Sequence, residues 1–504
     1  MRLFTHKTKV HFKMYLILFI MLGSVSVVRA QPWNQTLKIV PTNGHSRNNF
    51  GNSVAIDGNL AIVGSPLGST NDSGSAYVID VNTGEQLIHL NSNGRGNNFR
   101  FGSSVSIRGN TAVIGAPNEF FKGAAYVFDV TKGFPLFKLL ADDVETGDEF
   151  GNSVSLSGNL AVIGARGDDD QGTDSGSAYV FDVTTGQQLF KLLADDGAAG
   201  DAFGDSVSLS GNLAVIGANG DDDRGTDSGS AYVFEVTTGQ QLFKIIATDG
   251  ESRDHFGKSV AINRRRIVIG ANYDDNVNGY DSGSVYVFDA KTGAQLFNMT
   301  ANDGQDFDLF GSSVELSGNL AVIGATRGDG NVDDSGTAYV FDISTGRQLS
   351  KIFATDGEQF DSFGSAVAIS GKIAVIGTPL DDDNGHNSGS AFAYEQQITN
   401  GLTVVPDPLI ARQNGTFSVI QALSHQNTWL LYSLKGLEQT FIPQLNVTID
   451  LNEPKLAAGP NKTDANGNLQ WILPVPKVGS PVNVWFQAIQ HVNATKFVAT
   501  QVIP

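Results

Sequence analysis

The dipeptide Phe-Gly returns along this chain at Phe50-Gly51, Phe101-Gly102, Phe150-Gly151, Phe203-Gly204, Phe256-Gly257, Phe310-Gly311 and Phe363-Gly364, at intervals close to fifty residues. A period of that size restricts a chain to a repeat array, a propeller or a solenoid. The stretch from Asp201 to Ala247 shows the unit most clearly. Ser206 to Leu209 alternates polar and apolar residues, and Ser210-Gly211-Asn212 makes a tight turn. Leu213 to Gly217 reads as a buried strand, followed by an Asp/Gly-rich loop ending in Asp227-Ser228-Gly229. Ala231 to Phe234 and Gln241 to Ile246 complete four strands around a Thr238-Gly239 turn. One four-stranded antiparallel sheet cannot bury both faces alone, so it must stack on copies of itself. No helical pattern or heptad interrupts the series, which favours a propeller, and seven openings predict seven blades.

The ends of the array are complementary. Thr36 to Gly44 aligns with Leu189 to Gly197, the fourth strand of a unit and its exit loop, although no unit precedes it. The seventh unit ends near Tyr394 without a fourth strand. Residues 36–40 are therefore expected to complete the last blade and remove an exposed strand edge.

In such a ring the second-to-third loops and the blade-to-blade loops share one face. That face collects Asp168 to Asp170, Asp221 to Asp223, Asp274, Asp275 and Asp381 to Asp383, with inter-blade acids such as Asp196, Asp249, Asp254 and Asp303. The opposite face carries short, nearly uncharged turns. Blade 2 departs from the pattern with Asn118-Glu119-Phe120-Phe121, and Arg47, Arg95 and Arg100 lie in the loops leading into blades 1 and 2. Arg47, Arg95, Arg100, Phe120 and Phe121 are thus the candidate ligand-contacting residues.

The pattern FGxSVxLSGNLAVIGA…DSGSAYVFD resembles the FG-GAP repeat of integrin α-chain propellers, in the form found in secreted bacterial proteins. The resemblance implies an extracellular propeller. Members often carry a DxDxDG calcium loop between the first two strands. Here that position holds Ser157-Gly158-Asn159, Ser210-Gly211-Asn212 or Ser317-Gly318-Asn319, so the family's calcium loop does not carry over.

The Asp-rich loops on the other face are a separate candidate. A hard cation takes six to eight oxygens, and DDDxGxDSG offers several carboxylates beside loop carbonyls. The candidate calcium ligands are Asp168, Asp170 and Asp174, then Asp221, Asp223 and Asp227, with Asp274, Asp275, Asp281, Asp381 and Asp383. Solvated acidic turns are the competing account. The repeated Phe-Gly and Asp-Ser-Gly are structural: Phe as a wedge between sheets, Gly for close approach, Asp as a side-chain turn cap. The tripeptides Arg166-Gly167-Asp168 and Arg327-Gly328-Asp329 arise where the repeat already supplies Gly and Asp.

Residues 1–30 read as a cleaved signal peptide, with Arg2, Lys7, Lys9 and Lys13 before an apolar run too short to span a membrane. The propeller is assigned to residues 31–396, a linker to 397–408 around Pro406 and Pro408, and a β-sandwich accessory domain to 409–504. In that last unit Ala465-Asn466-Gly467-Asn468 is a hairpin signal. The fold class is therefore all-β, a seven-bladed propeller followed by a small sandwich.

The 504 residues contain no cysteine, which excludes disulfides and thiol chemistry. The formal charge of −19 disfavours nucleic acid and anionic membranes as partners. Scattered histidines, with no HExxH or GxSxG, give no catalytic constellation. The expected function is a secreted or cell-surface, monomeric, non-catalytic binding or adhesion protein for an extracellular protein or glycan, with calcium as the candidate cofactor. A polysaccharide lyase or hydrolase on the same scaffold, or a structural surface-layer component, are the alternatives.

Overall fold

The computed structural model describes residues 33–42, 45–68, 73–92 and 98–396 in full, and beyond them the backbone of strands between 401 and 503. The proposed signal peptide lies outside the described residues. Seven four-stranded antiparallel sheets follow one another along residues 33–396. Blade 4 is representative, with strands Ser206–Ser210, Leu213–Ala218, Ser230–Glu235 and Gln240–Ile245. The first strand of every blade touches the first strands of both neighbours, and Ser53–Asp57 of blade 1 meets Ala366–Ser370 of blade 7. The ring is closed.

Blade 7 takes its fourth strand from the other end of the propeller. Trp33–Ile39 pairs antiparallel with Ser390–Gln396, with Gln35 opposite Tyr394 and Lys38 opposite Phe392. Trp33 is buried between blades 6 and 7.

Strand alternation explains the core. In blade 4, Tyr232 and Phe234 pack on blade 3, while Ala231 and Val233 face blade 5. Phe203 fills the wedge from the Phe-Gly opening, with its ring 5.4 Å from Tyr232 and 5.8 Å from Phe234, both edge-on. Seven such inter-blade clusters recur around the ring.

The glycines permit the approach that the wedge needs. Gly204 adopts φ 91°, and a Cβ there would stand 2.3 Å from the Ser177 carbonyl oxygen. Gly176 of the preceding Asp-Ser-Gly pairs with Phe203, and its Cβ would lie 2.1 Å from the Phe203 carbonyl oxygen. The same arithmetic repeats at each blade junction, which is why Phe-Gly and Ser-Gly recur in register.

Beyond the propeller, Gly401–Val405, Asn414–Ile420 and Leu469–Pro474 form one sheet. Asn427–Ser433, Lys455–Lys462, Val482–Gln490 and Val498–Ile503 belong to another. Gly401–Val405 pairs with Asn414–Ile420, in keeping with its Thr-Val-Val run. The strands flanking Ala465 to Asn468 go to different sheets instead of pairing as a hairpin.

Candidate functional site

Register builds the repeated feature of the long-looped face. In each blade the third-strand aromatic stands opposite a fixed position on the fourth strand: Tyr179 opposite Lys191, Tyr232 opposite Lys244, Phe392 opposite Lys38. The lysine ammonium lies over that ring, 5.3 Å from the Tyr179 centroid and 5.2 Å from those of Tyr232 and Phe392. The second-to-third loop then delivers carboxylates to it. Lys191 Nζ lies 2.7 Å from Asp143, 2.9 Å from Asp168 and 2.6 Å from Asp170. Lys244 Nζ lies 2.9 Å from Asp196 and 2.7 Å from both Asp221 and Asp223. Lys38 Nζ lies 2.9 Å from Asp356 and from Asp381, and also contacts Asp383.

Asp168 and Asp221 are buried and also accept the hydroxyls of Tyr179 at 2.8 Å and Tyr232 at 2.9 Å. Burial opposes their charge, but the lysine and the Asp170 and Asp223 N–H donors outweigh it and hold both carboxyls below the usual range. Burial likewise opposes the charge of Lys191, Lys244 and Lys38. Hydrogen bonds donated to the surrounding aspartates win there too, and hold all three ammonium groups well above the ordinary lysine value.

These contacts bear directly on the candidate calcium ligands. Asp168 with Asp170, Asp221 with Asp223, and Asp381 with Asp383 do converge in pairs, but on a lysine ammonium. That donor set does not fit a calcium ion while the lysine remains inside it. Asp174 and Asp227 stand outside the clusters, on left-handed backbone at φ 53° and 55°. Their N–H groups donate to Asp169 and Asp222 at 2.8 Å, and Asp281 N–H donates to Asp275 at the same distance. The capping carboxylate is thus Asp169, Asp222 or Asp275, not the aspartate of Asp-Ser-Gly, because that residue sits at the turn's left-handed position. Among the described residues no group of three or more His, Asp or Glu is arranged to hold a metal ion.

Among the described residues, those expected to contact a ligand in blades 1 and 2 do not converge. Arg100 lines a cavity of about 370 Å³ with Asn49, Pro66, Pro117, Glu149 and Arg166. Phe120 and Phe121 stay outside it. Both are strongly exposed on a short 3-10 turn with positive φ, and Phe120 packs 5.1 Å from the Phe99 ring. Arg47 donates its N–H to the His386 carbonyl at 2.7 Å, stitching blade 1 to blade 7. Arg95 lies outside the described residues. Glu119 takes the role of Asp168 in this blade, buried against Tyr126 at 2.6 Å and Lys138 at 2.8 Å. The first Arg-Gly-Asp is structural: Arg166 is tied to Glu149 at 2.7 Å and Asp205 at 3.2 Å, and Asp168 is buried.

Blade 5 breaks the pattern. Its second-to-third loop keeps Asp274, but Asn298 occupies the fourth-strand position opposite Tyr286. A cavity of about 620 Å³ opens there, lined by Asp249, Asp254, Asp274, Asp275, Asp281 and Asn298 among others. Tyr273, Val277, Tyr280 and Phe307 form its apolar wall, with Tyr280 68% and Val277 94% exposed, and Arg253 is the one cation in the lining. Burial pushes the Asp254 carboxyl up to about 7, reinforced by Asp274. Asp274 is raised by burial too, against the hydroxyl of Ser284, and with Asp249 adding repulsion. Sequence reading placed these acids on this face, but it missed Tyr273, Val277, Tyr280, Phe307 and Asn298. The available signal was the change of QLFK to QLFN at Gln295 to Asn298.

Fold and face together define a closed seven-bladed β-propeller whose long loops are acidic and whose inter-blade wedges are Phe-Gly. The family model described as FG-GAP repeat matches residues 33–79, 89–128, 137–181, 187–234, 240–288, 295–341 and 347–394. The chain belongs to the FG-GAP repeat family. The chain matches none of the curated proteins it was compared with. No helix among the described residues is long and apolar enough to cross a membrane.

Proposed function

We propose that this protein is an extracellular, non-catalytic binding protein whose propeller presents its long-looped face, centred on blade 5, to a protein or glycan ligand. FG-GAP repeats are typical of extracellular proteins, which supports the location. The observation that carries the binding role is the coincidence of exposed apolar side chains with an acid-lined cavity. Tyr273, Val277, Tyr280 and Phe307 surround that cavity, whereas the exposed Phe120 and Phe121 of blade 2 stand outside the cavity that Arg100 lines. Exposed aromatics gathered at one place cost solubility and mark contact surfaces, where Tyr supplies large contact area at small entropic cost. The aspartates of blades 3, 4 and 7 are already neutralised by lysine, so they support the scaffold more than the ligand.

A screen of the full-length mature chain against extracellular-matrix proteins and a glycan array tests this reading. Tyr280→Ala combined with Phe307→Ala is expected to abolish binding of whatever ligand is found, with Phe121→Ala leaving it unchanged. Binding that survives the double substitution would move the site away from blade 5 and overturn the proposal.

A further inference from the structure

Seven copies of one sheet allow each blade to be compared with its neighbours in the same molecule. Blades 2, 3, 4 and 7 pair a buried acid at the start of the second-to-third loop with a fourth-strand lysine: Glu119 with Lys138, Asp168 with Lys191, Asp221 with Lys244, Asp381 with Lys38. Blade 1 has neither, with Gly68 and His89 at those positions, and His89 stacks on Tyr77 at 4.8 Å. Blade 6 has Gly328 and keeps Lys351, which turns to Asp303 at 2.6 Å. Blade 5 alone keeps the acid and lacks the lysine.

We propose that the blade 5 cavity is a receptor for a primary ammonium group, carried by a lysine side chain of a protein partner, which enters the position that Lys191, Lys244 and Lys38 fill from within in their own blades. This inference rests on the reading of the long-looped face as a binding surface, and it names the chemistry recognised there.

Blade 5 keeps two carboxylates and the ring of the cradle seen in blades 3 and 4, but neither its occupant nor its third carboxylate. Asp249 stands where Asp143, Asp196 and Asp356 stand, Asp274 where Asp168, Asp221 and Asp381 stand, and Tyr286 where Tyr179 and Tyr232 stand. In the sister blades the corresponding acids hold an ammonium at 2.6 to 2.9 Å over the ring. Asn298 is too short to do so. Its Nδ2 reaches only to 3.5 Å from Asp249, a weak contact, and it carries no charge. Asp274 meets the Ser284 hydroxyl and, at 3.4 Å, that of Tyr286.

Shape and charge select the ligand. Asn276 replaces the third carboxylate, Asp170 or Asp223, so two acids face the ammonium position instead of three. That suits a monovalent cation better than a divalent one, which needs more anionic oxygens. Above the cradle, Tyr280, Val277 and Phe307 offer an apolar collar for the methylene stem of an incoming lysine, whose head remains polar. Glu251, Asp275 and Asp281 outnumber Arg253, the one cation of the lining, so the net negative potential would draw a basic segment in.

The test uses the full-length mature chain and Nα-acetyl-lysine N-methylamide as probe, with the norleucine analogue as the uncharged control and calcium chloride as a second arm. Binding is followed by calorimetry and by NMR of the protein. The lysine probe is expected to bind saturably with a dissociation constant of about 10 mM or tighter, and the norleucine probe not to bind. Asn298→Lys reproduces the sister blades, so it is expected to fold, to melt no lower than the parent chain, and to abolish binding. Asp274→Asn is expected to weaken binding about tenfold or more. No saturable binding of the lysine probe, or binding unaffected by Asn298→Lys, would overturn the proposal. So would calcium binding that Asn298→Lys removes while the lysine probe fails to bind, since the cavity would then be a metal site. A screened ligand that is lost with Tyr280→Ala but retained by Asn298→Lys would leave the binding face standing and remove the cradle.

Discussion

At the scale of single residues, this propeller manages its acid in two opposite ways. Where a lysine is supplied, the buried aspartate is ionised and held; Lys244→Met should therefore leave Asp221 and Asp223 uncompensated and destabilise the fold by about 2–3 kcal/mol in denaturant unfolding. Adding Asp221→Asn to that variant should restore part of the loss, because the stranded charge goes with it. Where no lysine ammonium is bound directly, the opposite holds. Asp254, Asp308 and Asp361 each accept the N–H three residues earlier at 2.7 to 2.9 Å, from Glu251, Gln305 and Glu358. Burial still pushes their carboxyls up, to about 7, 6 and 6. A carboxyl raised above its unfolded value binds more protons in the folded state, so its effect on stability worsens as pH rises from about 4 to 7. Asp168 and Asp221, held below the usual range, lose their contribution only as pH falls below about 4. The melting temperature is thus expected to rise on going from pH 8 to pH 5 and to fall below pH 4. Asp254→Asn should raise it at pH 8 by about 2–4 °C and flatten the slope, with little effect at pH 5. A melting temperature that falls steadily from pH 8 to pH 5 would count against this account.

At the scale of the element, the blade is set by glycines whose roles differ although their sequence contexts look alike. Gly257 has φ 92°, and a Cβ there would sit 2.2 Å from the Ser230 carbonyl oxygen, a backbone atom that cannot yield. Gly211, in the Ser-Gly-Asn turn, has φ 65° but nothing within 4 Å. Gly257→Ala is expected to cost at least ~3 kcal/mol, and Gly211→Ala only about 1 kcal/mol, in the same unfolding experiment. Equal costs would mean that backbone strain, not the packing of one blade on the next, decides the junction. The wedge itself predicts that Phe203→Ala costs about 3–5 kcal/mol, since its ring is buried between Tyr232, Phe234 and blade 3.

At the scale of the whole molecule, stability depends on closing the ring with Trp33–Ile39. Removing residues 31–40 would expose the Ser390–Gln396 edge and unpair Lys38 from Asp381. Such a variant should melt roughly 10 °C or more lower and elute as larger species in size-exclusion chromatography; an unchanged melting curve would show that the ring does not need its clasp. Much of this was legible in the chain. The fifty-residue period fixed the blade, the Phe-Gly count fixed the number of blades, and the orphan strand before the first blade pointed to the clasp. Local turn chemistry and alternation carry that information, because each strand's faces follow from residues next to it. The charge network was not legible in the same way. Asp168, Asp170 and Asp174 look like one ligand set in sequence, yet the first two lie on Lys191, which is more than twenty residues away and also binds Asp143 from the previous blade's exit loop. Only strand register brings Lys191 opposite Tyr179, and only stacking of blades brings Asp143 beside it. By the same logic the change of lysine to Asn298 looks like ordinary drift in the sequence. It becomes a cavity with unmatched acid only once the tertiary structure shows where six other fourth-strand residues stand.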